Sequence, residues 1–255
     1  MFLAVDVGNT NITLGIYNND SLSFTARLAT DCRRTADQYA IEIRDILDIN
    51  GVDYRAVGKS AVCSVVPSVG FAVETAINKL CNIRPVVLGP GVKTGLNIKI
   101  DNPAQLGADL VAGAVGALKK YPMPLIIIDM GTATTVSVLD KNGAFVGGAI
   151  SAGIRLTLDA LTAKTSQLPE VGIEAPKYVI GTNTADCMKS GLIFGAASMI
   201  DGMISRIDEE LGDKAAVVAT GGLSKEIIKY SEHKIIHDDN LLLDGLLTIY
   251  KLNSK

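Results

Sequence analysis

The chain has 255 residues, of which 48% are hydrophobic and 20% charged, so it can bury the core of one large domain or two small ones. Its formal net charge is -3 and its basic residues form no cluster, which argues against nucleic acid or a membrane surface as a partner. The four cysteines lie far apart without a C-x-x-C pair, a pattern typical of reduced thiols rather than a zinc ribbon or a secreted disulfide framework.

The N-terminal string MFLAVDVGNT does not resemble a signal peptide, because it has no basic start and Asp6 interrupts its apolar run. No later run approaches the roughly eighteen uncharged apolar residues of a membrane span. We therefore predict a cytoplasmic protein.

Strand-like and helix-like segments alternate along the first half, which indicates an α/β architecture. The apolar run from Phe2 to Val7 predicts a strand that ends at a Gly-Asn turn, and strands at 11–17 and 21–28 would continue it as a meander. Thr35 followed by Gln38 is a capping-box signal for an amphipathic helix.

The first half is predicted to continue with strand 61–66, helix 71–81, strand 84–88, a Gly-rich loop, and a helix from Pro103 to Lys120. The loop LGPGVKTGLN is either a plain connector or a flap over a site, and we favour a flap because of the segment that follows it. Asn102 before Pro103 is the helix-start signal.

An internal repeat is the most informative feature of the sequence. The string LAVDVGNTNITLGIYNND around Asp6 resembles LIIIDMGTATTVSVLDKNG around Asp129, which lies 129 − 6 = 123 residues later. In both copies an apolar strand ends in Asp-x-Gly, a Thr-bearing turn follows, and a second alternating strand begins. The repeat predicts two similar domains, which we place at residues 1–118 and 119–255.

The second half is predicted to continue as strand, helix, Pro-containing stretch, long helix and strand. The predicted segments are a strand at Gly147-Gly148, helix 156–163, stretch 168–176, helix 184–211 and strand 215–219. A Gly221-Gly222 turn then leads to a helix capped by Ser224. His233 and His237 have a spacing that could serve a metal, but without a third ligand nearby we interpret them as ordinary satisfied or solvent-facing side chains.

The two Asp-x-Gly turns suggest phosphate binding. A strand that ends in a carboxylate and turns through Gly8, Asn9 and Thr10 presents successive backbone N–H groups and a hydroxyl, which can cradle a phosphate, with Asp6 beside a magnesium ion. The alternative is a solvated hairpin whose glycine and asparagine only provide turn geometry. The second copy at Asp129 favours a shared function, as in the actin-like ATPase and kinase superfamily. We predict two duplicated RNase H-like domains with a cleft between them.

Six strings occur in the order in which similar strings occur in type III pantothenate kinases, and they span almost the whole chain. These are DVGNTNIT, NPAQLGAD, IDMGTATT, GGAISAGIRL, GTNT and ATGGL. The resemblance implies transfer of the γ-phosphoryl group of ATP to pantothenate, giving 4'-phosphopantothenate in the first step of coenzyme A synthesis. It also implies Mg²⁺, a monovalent cation such as K⁺ or NH4⁺, and a homodimer with the acceptor pocket near the subunit boundary.

The resemblance also implies roles for individual residues. The ATP contacts would be Asp6, Val7, Gly8, Asn9, Thr10, Asn11, Ile12, Thr13 and Thr132. The acceptor contacts would be Gly107, Ala108, Asp109, Leu110 and Thr184. Asp129 matches the family's potassium ligand, and Asp109 matches its catalytic carboxylate.

The predicted position of Asp109 supports that role without the family. It would lie on a helix beginning at Pro103, with Gly113 and Gly116 on the same face at i+4 and i+7, and these glycines would leave a flat surface for a small substrate. Phosphoryl transfer requires positioning, charge neutralisation and a group that accepts the hydroxyl proton. The alternative for a lone helical aspartate is a solvated surface residue.

Two positions depart from the family pattern. Leu110 stands where most members have an arginine that holds the pantothenate carboxylate, and Ile100 stands where a pocket tyrosine is usual. Losing a charge-assisted hydrogen bond should cost about 1.5–3 kcal/mol. Either Arg155, Lys99 or Lys93 supplies the missing cation, or the protein takes an acceptor without a carboxylate, or it takes none and acts as a nucleotide-binding regulator. We favour a working kinase because Asp109 stands among intact phosphate motifs.

Overall fold

The structure, a computed structural model, describes residues 1–254 and divides into two compact units. The first unit comprises Met1–Leu96, Asp101–Lys120 and the C-terminal segment from Asn240. The second unit comprises Asn97–Ile100 and Tyr121–Asp239. The sequence-based division placed residues 119–255 together, whereas the C-terminal segment lies with the first unit.

Each unit contains a five-stranded sheet. The strands of the first unit are β1 (Phe2–Val7), β2 (Asn11–Asn18), β3 (Ser21–Ala29), β4 (Lys59–Ser64) and β5 (Val86–Val87). Those of the second unit are β6 (Leu125–Met130), β7 (Ala133–Leu139), β8 (Phe145–Ala152), β9 (Ala216–Thr220) and β10 (Ile236–His237). The spatial orders are β3-β2-β1-β4-β5 and β8-β7-β6-β9-β10.

The two sheets have the same topology. In each, the central strand is antiparallel to the next strand of the meander and parallel to a strand that arrives later in the chain. This equivalence confirms the prediction of an α/β protein built from two similar domains. The central strands β1 and β6 have both faces covered, so their sequences FLAVDV and LIIIDM are apolar apart from the terminal aspartate.

Seven α-helices complete the described part of the chain. They are α1 (Ala36–Ile49), α2 (Pro67–Cys81), α3 (Ala108–Leu118), α4 (Ile154–Lys164), α5 (Thr184–Leu211), α6 (Ser224–Ile227) and α7 (Leu241–Asn253). The predicted capping box of α1 is confirmed, because the Thr35 side chain accepts from the Gln38 N–H and the Gln38 side chain accepts from the Thr35 N–H. Helix α2 begins four residues earlier than predicted, since Pro67 suits a first helical position.

The predicted start of the Asp109 helix at Pro103 is wrong. Residues Pro103–Gln105 form a single 3₁₀ turn, capped by the Asn102 side chain, which accepts from the Ala104 N–H at 3.2 Å. The backbone is extended at Leu106, and α3 begins only after Gly107. Asp109 is therefore in the first turn of its helix instead of its interior.

Helix α5, confirmed at its predicted bounds, is the one helix in residues 1–254 that is long and apolar enough to cross a membrane by length and composition. Its buried residues, including Met188, Ile193 and Ile200, belong to the hydrophobic core of the second unit. Core helices of globular proteins can have the same length and composition.

The backbones of α3 and α7 touch at two glycines. A Cβ on Gly116 would lie 2.0 Å from the carbonyl oxygen of Leu241, and a Cβ on Gly245 would lie 1.9 Å from that of Ala112. Helix α7 also packs against β1 and β4, which explains why the last helix joins the first unit. The face of α3 at Gly116, predicted to offer a surface for substrate, is thus occupied by α7.

This contact predicts that replacing Gly116 or Gly245 by alanine destabilises the protein. Because the added methyl group would overlap backbone atoms, we expect the free energy of unfolding to fall by about 1–3 kcal/mol. Gly113→Ala is the matched control, since a Cβ there meets no atom within 4 Å. Alanine at that position should leave stability unchanged or raise it by up to about 1 kcal/mol through helix propensity. Urea titration followed by circular dichroism measures both, and equal midpoints for G116A and G113A would contradict the proposed contact.

Candidate active site

The first acidic turn joins β1 to β2. Asp6 is the penultimate residue of β1 and lies opposite Thr13 of β2 and Cys63 of β4 in the sheet register. The turn is closed by the Gly8 N–H, which donates to the Asn11 carbonyl oxygen at 3.0 Å. Asn9, Thr10 and Asn11 are exposed, so the turn presents its backbone to solvent at the end of a buried strand.

The second acidic turn joins β6 to β7 and is one residue shorter. Asp129 lies opposite Thr135 of β7 and Thr220 of β9. The Gly131 N–H donates to the Ala133 carbonyl oxygen at 3.0 Å, and Gly131 and Thr132 are exposed. The predicted pair of exposed Asp-x-Gly turns is therefore present, one in each unit.

Gly221 packs tightly against the second turn. It has a φ of +93°, and a Cβ there would lie 2.5 Å from Asp129 Oδ1 and 2.7 Å from the Met130 backbone nitrogen. Only glycine allows β9 to end this close to β6. Its positive φ disfavours other residues, and there is no room for a Cβ beside Asp129 and Met130. The sequence indicated a turn here but not its contact with Asp129.

Asp109 lies at the N-terminal end of α3 and is half-buried. Its Oδ1 accepts a hydrogen bond from the Leu110 N–H at 2.8 Å, and a Cβ on Gly107 would lie 2.4 Å from the same oxygen. The carboxylate is thus folded back over the start of the helix. The partial positive charge of a helix N-terminus stabilises a carboxylate in this position.

Cys63 lies in β4, in the sheet of the first unit. The residue is fully buried and lies beside Asp6 in the parallel pair β1–β4. Burial raises the pKa of the Cys63 thiol well above its usual value, and the negative charges of Asp6 and Asp109 raise it further. Helix α3 packs against β4, so the helix start that carries Asp109 and the first acidic turn both adjoin the strand of Cys63.

The remaining predicted site residues differ in exposure. Val7 and Ile12 are buried in the core, so they can offer a ligand only their backbone. Gly107, Ala108 and Leu110 are half-buried beside Asp109 in the first unit. Thr184, by contrast, is the exposed first residue of α5 in the second unit.

The surroundings of Asp129 fit a hard cation. The Thr135 Oγ1, on the strand position opposite Asp129, is buried and has no hydrogen-bond partner among residues 1–254. Cross-strand neighbours project on the same face of a sheet, so the carboxylate and the hydroxyl lie side by side. Carboxylate and neutral oxygen donors suit hard cations rather than soft transition metals.

The two histidines lie against separate carboxylates in the second unit. His233 Nδ1 is 3.1 Å from Asp201 Oδ1, and His237 Nε2 is 3.2 Å from Asp239 Oδ1. Within residues 1–254, no group of three or more His, Cys, Asp or Glu side chains could hold a metal ion.

The three cations considered as substitutes for the missing arginine are in different situations. Lys99 pairs with Asp140 at 3.2 Å within the second unit. The backbone N–H and carbonyl oxygen of Lys93 bond the Asn253 side chain. The Lys93 side chain takes no part in these bonds and is exposed. Arg155 is exposed in the first turn of α4.

A cavity of about 380 Å³ in the first unit is remote from these groups. It is lined by residues such as Phe2 at the start of β1, Lys59 at the start of β4 and Lys251 of α7. Asp6 lies at the other end of β1, so this cavity does not belong to the candidate active site.

A solved structure confirms the fold. Component A of the (R)-2-hydroxyglutaryl-CoA dehydratase of Acidaminococcus fermentans matches with a TM-score of 0.58 and 16% identity, covering 100% of this chain and 99% of that chain. At this identity the match concerns the fold alone, which is the actin-like ATPase fold predicted from the duplicated turns.

The sequence comparisons identify the family. The profile of type III pantothenate kinases matches residues 2–206. The type III pantothenate kinase of Halalkalibacterium halodurans is 42% identical over 253 residues, which cover 99% of this chain and 100% of that protein. The enzyme of an Exiguobacterium species is 42% identical over 256 residues, which cover 100% of both chains. These matches give no support to a non-catalytic or acceptor-shifted relative, and the chain belongs to the type III pantothenate kinase family.

Proposed function

We propose that this type III pantothenate kinase transfers the γ-phosphoryl group of ATP to the terminal hydroxyl of pantothenate with Asp109 as the base. The observation that carries the proposal is that α3, with Asp109 in its first turn, packs against β4, which pairs with β1 at Asp6. A phosphate-binding turn and a proton acceptor must lie close together for phosphoryl transfer, and the first unit supplies both.

Each of the two exposed turns would offer groups to nucleotide phosphates. In the first turn, the Asn9 N–H and the Thr10 hydroxyl would face the phosphates and Gly8 would shape the turn, while buried Val7 and Ile12 fix the turn to the sheet. Asp6, Asn11 and Thr13 border it. In the second turn, Thr132 offers a hydroxyl in the corresponding place.

Asp109 would accept the proton of the acceptor hydroxyl. As the new O–P bond forms, the bond between the γ-phosphorus and the β,γ-bridging oxygen breaks, ADP leaves, and the hydroxyl proton passes to the carboxylate. Cys63 stays neutral because its pKa is raised, so it adds no third negative charge beside the two aspartates.

Asp6 would hold Mg²⁺ and Asp129, with Thr135 beside it, a monovalent cation such as K⁺ or NH4⁺. When bound, these cations neutralise charge on the phosphates during transfer. Oxygen donors are the type both ions require, and each carboxylate stands at the end of a central strand next to an exposed turn.

The acceptor would lie along Gly107, Ala108 and Leu110, and Thr184 of a second copy of the chain would be a further contact. Beside Thr184, the segment of Tyr178, Val179 and Ile180 is tied to α5 through its backbone while its apolar side chains are exposed. We propose that a second copy of the chain covers these side chains in a homodimer, which acts in the cytoplasm in the first step of coenzyme A synthesis.

One prediction concerns Asp109 as the catalytic base. Asp109→Asn keeps the side-chain shape but removes the proton acceptor, so kcat should fall by about 10²–10⁴-fold. ADP binding should change little. Asp101→Asn, an exposed aspartate on the preceding loop, is the matched control and should keep full activity. An Asp109→Asn enzyme that retains more than a tenth of native kcat in a coupled ADP-release assay would exclude this role.

Another prediction concerns how position 110 affects binding of the acceptor. Leu110→Arg should restore a charge-assisted hydrogen bond and lower KM for pantothenate by about tenfold or more, while KM for ATP stays unchanged. The alcohol analogue of pantothenate, which lacks the carboxylate, should gain nothing from the substitution. A native enzyme that phosphorylates only the alcohol would instead show that the acceptor has changed, and equal gains for both acceptors would show that position 110 does not meet the carboxylate.

A further inference from the structure

Thr30 holds the first acidic turn from the side. It directly follows β3, and its N–H donates to the Thr10 carbonyl oxygen at 3.0 Å. Its hydroxyl Oγ1 donates to the Gly8 carbonyl oxygen at 2.7 Å. The two hydrogen bonds therefore hold the carbonyl groups of Gly8 and Thr10, the residues on either side of Asn9. Thr30 thus fixes the turn at two points.

The second unit has an equivalent backbone hydrogen bond to its turn, but a glycine stands in the position of Thr30. Gly153 directly follows β8, the equivalent of β3, and its N–H donates to the Thr132 carbonyl oxygen at 3.1 Å. A Cβ on Gly153 would lie 2.3 Å from that oxygen and 2.5 Å from the Gly131 carbonyl oxygen, so no side chain fits. Of these two residues, only Thr30 has a side-chain donor, which makes it the one that can be tested by substitution.

The hydroxyl of Thr30 determines which way a peptide group points. The Gly8–Asn9 bond is trans, so the Gly8 carbonyl and the Asn9 N–H point in opposite directions. The hydrogen bond from Thr30 directs the Gly8 carbonyl towards the end of β3. The Asn9 N–H therefore points away from the end of β3. That N–H has no acceptor among residues 1–254 and belongs to an exposed residue.

Building on the proposed function, we infer that Thr30 is a positioning residue for the nucleotide phosphates. By holding the Gly8 carbonyl, its hydroxyl keeps the Asn9 N–H directed at the phosphate and keeps a carbonyl oxygen, which would repel a phosphate, out of the site. Without this bond the peptide can rotate, and part of the binding energy is lost in restoring its orientation.

The test compares Thr30→Val, which preserves shape but removes the donor, with Thr30→Ser, which preserves the donor but removes the methyl group. We expect Thr30→Val to raise Kd for ADP and KM for ATP by about five- to tenfold, the range for one lost hydrogen bond. Thr30→Ser should stay within about twofold of the native values. KM for pantothenate and kcat at saturating ATP should change less than twofold in both variants.

Two controls separate positioning from a purely structural role. Thr25→Val alters an exposed threonine of β3, the strand that Thr30 follows, and should leave ADP binding unchanged. Adenosine, which lacks phosphates, should bind Thr30→Val as it binds the native chain. Urea titration checks folding, and if Thr30→Val does not fold, Thr30→Ala provides the same loss of the hydroxyl with a smaller side chain.

Several results would overturn the inference. ADP binding to Thr30→Val at native strength would do so, as would equal weakening in Thr30→Ser, or equal weakening for adenosine and ADP. In each of these cases the native chain still binds ADP and phosphorylates pantothenate, so the proposed function survives. A native chain that binds no ADP would instead overturn both.

Discussion

The register of the central strand in each sheet determines where the acidic turns lie. β1 and β6 are bonded on both sides, antiparallel to the next strand of the meander and parallel to a later strand. Because side chains alternate along a strand, a slip of one residue would move Asp6 or Asp129 to the other face of its sheet. The apolar residues before each aspartate oppose such a slip, since they would have to exchange buried environments. Hydrophobic packing thus fixes the position of the charged groups.

The catalytic proposal depends on a second constraint, the start of α3. Asp109 occupies the first turn because the chain makes a separate 3₁₀ turn and then extends before the helix begins. In that position the carboxylate benefits from the helix N-terminus and from the Leu110 N–H. In the middle of a helix the same aspartate would have neither. The glycine contact with α7 then holds α3 against a helix that also packs on the sheet, which limits how far Asp109 can move.

Much of the fold could be predicted from local patterns. The two Asp-x-Gly turns, the meanders that follow them, the capping box of α1 and the long helix α5 are all visible in short windows of sequence. The start of α3 was not, because Asn102 and Pro103 satisfy a helix-start signal whether the following turn continues or ends after three residues. Cys63 was also missed, since its place beside Asp6 arises from pairing between strands that are distant in the chain. Thr30 was missed for the same reason, and its bonds to Gly8 and Thr10 follow from the register of the meander.

The placement of α7 has a consequence for biosynthesis. The strands of the first unit leave the ribosome well before α7, but α7 covers their sheet and α3. The intervening second unit, apart from the short segment Asn97–Ile100, is contiguous from Tyr121 to Asp239 and can fold while synthesis continues. The first unit must therefore wait, with apolar surface uncovered, until α7 has been synthesised. A premature stop codon that removes only α7 would damage the unit that was made first.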